Sequence, residues 1–134
     1  MIEATVGEVM TLFPECIDVR ETFLKVRDLM MEHDVRHLPV TREGKVVGIV
    51  SDRDLAVAHE FFGKVPDMTE VEVGDFCTED VVTFDRSAPL SLVLQEMADA
   101  RIGSIIVVDE GGPAGIFTST DACRIFSDWI KSQK

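Results

Sequence analysis

Two short stretches hold the residues best suited to chemistry: Ser51-Asp52-Arg53-Asp54 and Thr118-Ser119-Thr120-Asp121. Each follows a glycine and two apolar residues, Gly48-Ile49-Val50 and Gly115-Ile116-Phe117. In both, a hydroxyl stands three positions before a carboxylate, where an apolar β-like run gives way to a helical pattern. Two chemistries fit that spacing. The first is a capping box: the hydroxyl accepts from a free N–H of the helix start, and the carboxylate reciprocates. Such a cap is worth about 1 kcal/mol, and an acidic residue also suits the positive end of the helix dipole. The second is ligand binding. A strand that turns into a helix aims N–H groups and a hydroxyl at one spot, which suits a phosphate. A carboxylate one turn into the helix can accept hydrogen bonds from both hydroxyls of a ribose, as acidic residues do in dinucleotide-binding folds. The glycine permits close backbone approach. A ligand can recruit a cap, so the two chemistries are compatible, and the recurrence of the whole package favours the ligand.

The elements that must position these residues also occur twice. Val6-Gly7-Glu8-Val9-Met10 opens one half and Val73-Gly74-Asp75-Phe76-Cys77 the other. After a turn at Phe13-Pro14-Glu15 comes a short strand, Cys16 to Val19. Its expected counterpart is Val81 to Phe84, reached by a connection two residues shorter. A helical pattern follows from Thr22 to Glu32, with Phe23, Val26 and Met30 on one face, and Leu90, Val93 and Met97 match them. Ser87 reads as the N-cap of that second helix, with Pro89 in its first turn. Strands at Val35–Thr41 and Ile102–Asp109 lead into the turns Arg42-Glu43-Gly44-Lys45 and Glu110-Gly111-Gly112-Pro113. Further strands, Val46–Val50 and Ala114–Phe117, end in the two motifs. A helix follows each, with Leu55, Ala58 and Phe62 in the first and Ala122, Ile125, Phe126, Trp129 and Ile130 in the second. The chain therefore reads as α+β, two β-α-β-β-α units over 5–62 and 73–130, joined by a linker at 63–72.

Bulk properties exclude several functions. A unit of roughly 60 residues is marginal alone, so two repeats should share a core. A net charge of −12, with no cluster of Lys and Arg among aromatics, speaks against nucleic acid. No run approaches the roughly 20 apolar residues of a membrane span, and nothing at Met1–Thr5 marks the chain for export. Three cysteines, Cys16, Cys77 and Cys123, lack metal-type spacing and form no disulfide framework. A cytoplasmic location follows as the expectation. His33, His37 and His59 lack metal-ligand spacing too, and no set of nucleophile, base and orienting residue accompanies Asp52-Arg53-Asp54. The expectation is a non-enzyme that requires no cofactor or metal.

Together with Val35-Arg36-His37-Leu38-Pro39-Val40 and Ile102-Gly103-Ser104-Ile105-Ile106-Val107-Val108-Asp109, the two motifs resemble the CBS family, tandem domains that sense adenosyl nucleotides. The resemblance covers about Thr5 to Trp129. It implies two repeats packed about a pseudo-twofold axis, ligand clefts between them, and a flat homodimer of two such pairs. Carried onto this sequence, it implies that Asp54 and Asp121 hold ribose hydroxyls and that Ser51 and Thr118 lie at phosphate. Main chain near Ile17-Asp18 and Val82-Thr83 would meet the adenine edge, while Pro39 and Ile106 wall the base. Ser104 belongs to the same family-typical stretch as Ile106. Arg53 would assist a phosphate, with Arg36 or His37 in reach. The implied ligands are AMP, ADP, ATP or S-adenosylmethionine, and the implied partners are a second copy of the chain and an effector protein in trans.

Two departures from the resemblance bear on the ligand. Thr120 stands where the first motif has Arg53, and Asp18 occupies the position where the second half is expected to have Thr83. With the acidic field of the chain, they lead to the expectation that AMP or a cationic adenosyl ligand is preferred over ATP, most strongly at the second site. Two other functions fit the residues: a ligand-free homodimeric interaction protein whose motifs only cap helices, and a redox-responsive protein acting through its cysteines.

Overall fold

A computed structural model describes residues 3–13, 15–62 and 71–133. In chain order its first half contains α1 (Val6–Val9), β1 (Thr11–Leu12), β2 (Ile17–Asp18), α2 (Phe23–His33), β3 (His37–Arg42), β4 (Lys45–Ser51) and α3 (Asp52–Phe62). A 3₁₀ turn at Val73–Asp75 opens the second half. It is followed by β5 (Thr83–Asp85), α4 (Leu90–Ala100), β6 (Ser104–Asp109), β7 (Gly112–Thr118) and α5 (Ser119–Ser132). The order β-α-β-β-α recurs as the sequence pattern requires. Pro14, in the turn expected at Phe13-Pro14-Glu15, and most of the linker, at 63–70, lie outside the described residues. No helix among the described residues is long and apolar enough to cross a membrane.

The chain forms two compact units that do not coincide with its sequence halves. The first unit comprises the described residues of Phe13–Val81 with Gly111–Pro113; the second comprises those of Met1–Leu12, Val82–Glu110 and Ala114–Lys134. The reason lies in the opening segments. Val6 is fully buried in a cluster with Val93, Met97, Ile105, Val107 and Phe117, which belongs to the second unit. Val73 is fully buried with Ile17, Val26, Met30, Leu38, Val40 and Val50, in the first. Each half thus gives its opening turn to the unit that holds the strands and helices of the other half. Val71, expected in the linker, is already part of the first unit: it is buried, and its carbonyl accepts from Phe23 N–H at 3.1 Å.

In the first unit the sheet runs β2-β3-β4, with β2 parallel to β3 and β3 antiparallel to β4. α2 makes the crossover that a parallel pair needs. In the second unit the order is β1-β7-β6-β5, with β5 parallel to β6 and β1 antiparallel to β7. The turn before β4 has positive φ at Glu43 and Gly44, and the turn before β7 has it at Glu110 and Gly111. A two-residue hairpin turn of the I′ type asks for that pair, and glycine takes its second place without strain.

Strand pairing corrects the expected alignment of the halves. Ile17 pairs with Val40 and Asp18 with Thr41, while Phe84 pairs with Val107 and Asp85 with Val108. The shift that carries Ser51 onto Thr118 also carries Val40 onto Val107. The counterparts of Ile17 and Asp18 are therefore Phe84 and Asp85, not Val82 and Thr83, and no shortened connection exists. A two-residue slip keeps every side chain on its own face, so the apolar pattern could not detect it; a one-residue slip would have been visible. Local turn chemistry agrees. Arg20 N–H donates to Asp18 Oδ1 at 2.9 Å, and Ser87 N–H donates to Asp85 Oδ2 at 3.0 Å.

That last bond also removes Ser87 from its expected role as a cap. Its hydroxyl donates to Asp85 Oδ2 at 2.6 Å, and α4 starts later, with Pro89 at the N-cap position. Proline offers no side-chain acceptor. The N–H of Ser91 is satisfied instead by Glu3 Oε1 at 2.7 Å, and the side-chain and backbone hydrogen bonding of Ser91 holds the Glu3 carboxyl below its usual range. In the other unit Thr22 Oγ1 caps α2 directly, accepting from Lys25 N–H at 3.3 Å.

Candidate functional site

In the first unit β4 runs straight into α3, with Ser51 as the last strand residue. Ser51 N–H donates to Asp54 Oδ2 at 2.8 Å, and Asp54 N–H donates to Ser51 Oγ at 3.1 Å. Asp52 N–H donates to the Arg36 carbonyl at 2.9 Å and fixes the helix start to β3. His37 lies opposite Ser51 across the strand pair, and Pro39 lies opposite Ile49. Pro39 and Ile17 are buried, Ser51 and Asp54 half-buried, and His37, Arg53 and Asp18 exposed.

The second unit repeats this. Thr118 N–H and Oγ1–H both donate to Asp121 Oδ2, at 2.9 and 3.0 Å, and Asp121 N–H donates to Thr118 Oγ1 at 3.2 Å. Ser119 N–H donates to the Gly103 carbonyl at 2.9 Å. Thr83 pairs with Ile106, whose N–H donates to the Val82 carbonyl at 3.0 Å. Ile106 is buried, Val82 half-buried, and Thr83 and Ser104 exposed. Both capping boxes are therefore fully formed, each at the end of its sheet.

The observed register sets Asp18 apart from His37 and Ser51. Asp18 lies opposite Thr41, four residues along β3 from His37, or about 13 Å at 3.3 Å per residue. The residues that correspond to Val82 and Thr83 are Glu15 and Cys16. Asp18 instead receives the Arg20 N–H within its own turn.

Three features escaped the sequence reading. Arg124 Nη1 lies 3.7 Å from Asp121 Oδ1, so the second constellation does have a cation, one helical turn beyond Thr120. Only the spacing of Asp121 and Arg124 on one helix face could have signalled it. The equivalent residue in the first unit is Val57, which with Arg53, Asp54, Phe61 and Phe76 lines a cavity of about 320 Å³. Cys77, half-buried near that carboxylate, has its thiol pushed up by burial and further by Glu79 and Asp54. That disfavours the reactive thiolate.

The glycines heading the motifs admit the protein's own backbone. A Cβ on Gly48 would sit 2.6 Å from the Thr78 carbonyl oxygen, and one on Gly115 2.6 Å from that of Thr11. Thr78 bridges Ile49 through two hydrogen bonds of 2.9 Å, and Thr11 belongs to β1 beside β7. Gly48→Ala and Gly115→Ala are each expected to lose about 1–3 kcal/mol of stability through overpacking. Denaturant unfolding measures this, and a loss under about 0.5 kcal/mol would contradict the close approach.

Comparison with known proteins decides the family. The CBS domain profile matches residues 6–60 and 73–128. The chain belongs to the CBS domain family. It is a tandem CBS pair, and its fold is shared by solved CBS pairs. The CBS domain pair of protein MJ0100, in complex with 5′-methylthioadenosine and S-adenosyl-L-methionine, is 25% identical with a TM-score of 0.72, covering 95% of this chain and 98% of that one. CBSX2 in complex with AMP is 26% identical with a TM-score of 0.72, covering 96% and 98%. A homoserine O-acetyltransferase of Methanocorpusculum labreanum is 32% identical over 117 residues, covering 86% of this chain but only 23% of that enzyme. The chain spans 23–41% of the length of the curated relatives that it matches at 30–32% identity.

Proposed function

We propose that this CBS pair is a regulatory module, not a catalyst, that binds an adenosyl ligand at Asp54 and Asp121. One observation carries the reading: a half-buried carboxylate stands at the same strand-to-helix turn in both units, with one oxygen committed to its box. Asp54 Oδ1 makes no hydrogen bond among the described residues, so it can accept from a ribose hydroxyl while the cap stays closed. Similar CBS pairs hold AMP, S-adenosylmethionine or methylthioadenosine. Pro39 and Ile106 would wall the base, Arg53 would serve a phosphate in the first site, and Arg124 would take that part in the second. With Arg124 beside Asp121, the expected disfavour toward ATP at the second site is reduced. Ligand binding then shifts the population between conformations that an effector reads. A thermal-shift screen with AMP, ADP, ATP and S-adenosylmethionine tests the reading: at least one should raise the melting temperature, and none doing so would sink it.

A second reading is favoured by the boxes themselves, which close without any ligand. In it the chain is an interaction protein and the motifs only cap helices. Both readings include a homodimer, for which α5 offers the contact. Ile125 packs on the core of its own unit, whereas Phe126, Trp129 and Ile130 are 60%, 53% and 48% exposed. The Phe126 and Trp129 rings stack at 6.1 Å. A dimer at micromolar concentration is expected, with Trp129 fluorescence shifting on dilution. Phe126→Asp should dissociate it, and a wild-type monomer by light scattering would contradict the assignment.

A further inference from the structure

The first unit carries a second polar site, at the end of β3 away from the capping box, with Asp75 lining both this cavity and the one beside Asp54. A cavity of about 410 Å³ is lined by Arg20, Arg42, Glu72, Asp75 and Glu79. An adjoining one of about 240 Å³ shares both arginines and adds Asp18 and Glu43. The larger falls within the roughly 300–1,000 Å³ of small-molecule sites. Arg42 ends β3, opposite Lys45, whereas the box stands at the other end, opposite His37. Five residues of strand, about 17 Å, separate them.

The second unit carries an ion pair at the equivalent place. There Asp109 replaces Arg42, Arg86 replaces Val19, and Ser87 replaces Arg20. Arg86 Nη1 pairs with Asp109 Oδ2 at 3.4 Å, and the Ser87 hydroxyl donates to Asp85. In the first unit that ion pair is lost. Neither the Arg20 nor the Arg42 guanidinium makes a hydrogen bond or ion pair among the described residues. Five carboxylates surround the two guanidiniums, so a plain anion meets a net negative field. A plain cation leaves both guanidiniums unmatched. A zwitterion satisfies both: its carboxylate suits a guanidinium fork, and its ammonium suits Glu72, Asp75 and Glu79.

We infer that this cavity binds a free α-amino acid, carboxylate toward Arg20 and Arg42 and ammonium toward the acidic wall. The adenosyl reading plays no part in that assignment. Calorimetric titration of the intact chain with each proteinogenic α-amino acid tests it, with acetate and methylamine as half-ligand probes. At least one amino acid should bind with one site per chain, and neither half-ligand should. Arg42→Gln should weaken binding at least about tenfold, the loss of a charge-assisted hydrogen bond, without changing the melting temperature. Arg42→Asp, which installs the residue of the second repeat, should do the same or more. Asp54→Ala with Asp121→Ala should leave amino-acid binding unchanged, so failure here and failure of the adenosyl reading are distinguishable. No binding by any amino acid, acetate binding as well as the best of them, or full affinity in Arg42→Gln would each overturn the inference.

Discussion

Phe117→Ala is expected to remove about 3–5 kcal/mol of folding stability, a large share of the 5–15 kcal/mol typical of a domain. Phe117 lies on β7 directly before the second box, has no exposed surface, and packs with Val6, Val93, Met97, Ile105 and Val107. Its counterpart Val50 is equally buried, but in the other cluster. Val50→Ala removes two methyl groups and should cost about 2 kcal/mol, by the area rule of about 0.8 per methylene plus a small cavity term. The two units make a sharper statement possible. Hydrogen exchange in Phe117→Ala should rise at residues 5–12 as well as at 82–110 and 114–132, because Val6 belongs to that core. Protection at residues 17–51 should fall less. Equal loss across both groups, or a destabilisation under about 1 kcal/mol, would contradict this division of the core.

The second large effect concerns the carboxylates. A ribose that donates both hydroxyls to Asp54 or Asp121 makes two charge-assisted hydrogen bonds, each worth about 1.5–3 kcal/mol. Removing the acceptor should therefore weaken binding at that site by on the order of 100- to 10,000-fold. Stability should fall by only about 1 kcal/mol, the worth of the cap. Asn separates the two roles further. Asp54→Asn retains a cap-competent oxygen for Ser51 N–H but loses the charge that faces the ligand. It should leave the melting temperature nearly unchanged while binding drops. Loss of stability with intact affinity would assign the box to capping alone.

The fold was legible because the repeat made each element a check on another: the glycine-led motifs, the Glu-Gly turns and the helix faces all recur at one shift. Its limits have physical causes. The strand opening the second half was set two residues off because Val81-Val82-Thr83-Phe84 is apolar over a longer run than the strand uses. Only pairing with β6 selects Thr83–Asp85. The exchange of opening segments left no local signal, since Val6 and Val73 occupy equivalent places whichever core they join. Of the candidate site, the two boxes are legible in residue type and spacing, whereas Pro39 and Ile106 follow only from the resemblance to the CBS family. Arg124 was missed because its approach to Asp121 depends on side-chain direction one turn into α5. The pairing of Asp18 with Thr83 across the halves rests on the same two-residue slip.

The central claim, that the two carboxylates hold an adenosyl ligand, is tested most directly by calorimetric titration of AMP and S-adenosylmethionine into the wild-type chain and into Asp54→Asn with Asp121→Asn. At least one ligand should bind the wild type and lose on the order of 100-fold or more in the double variant, with melting curves of the two proteins nearly superimposed. Undiminished affinity in that folded double variant would contradict the account.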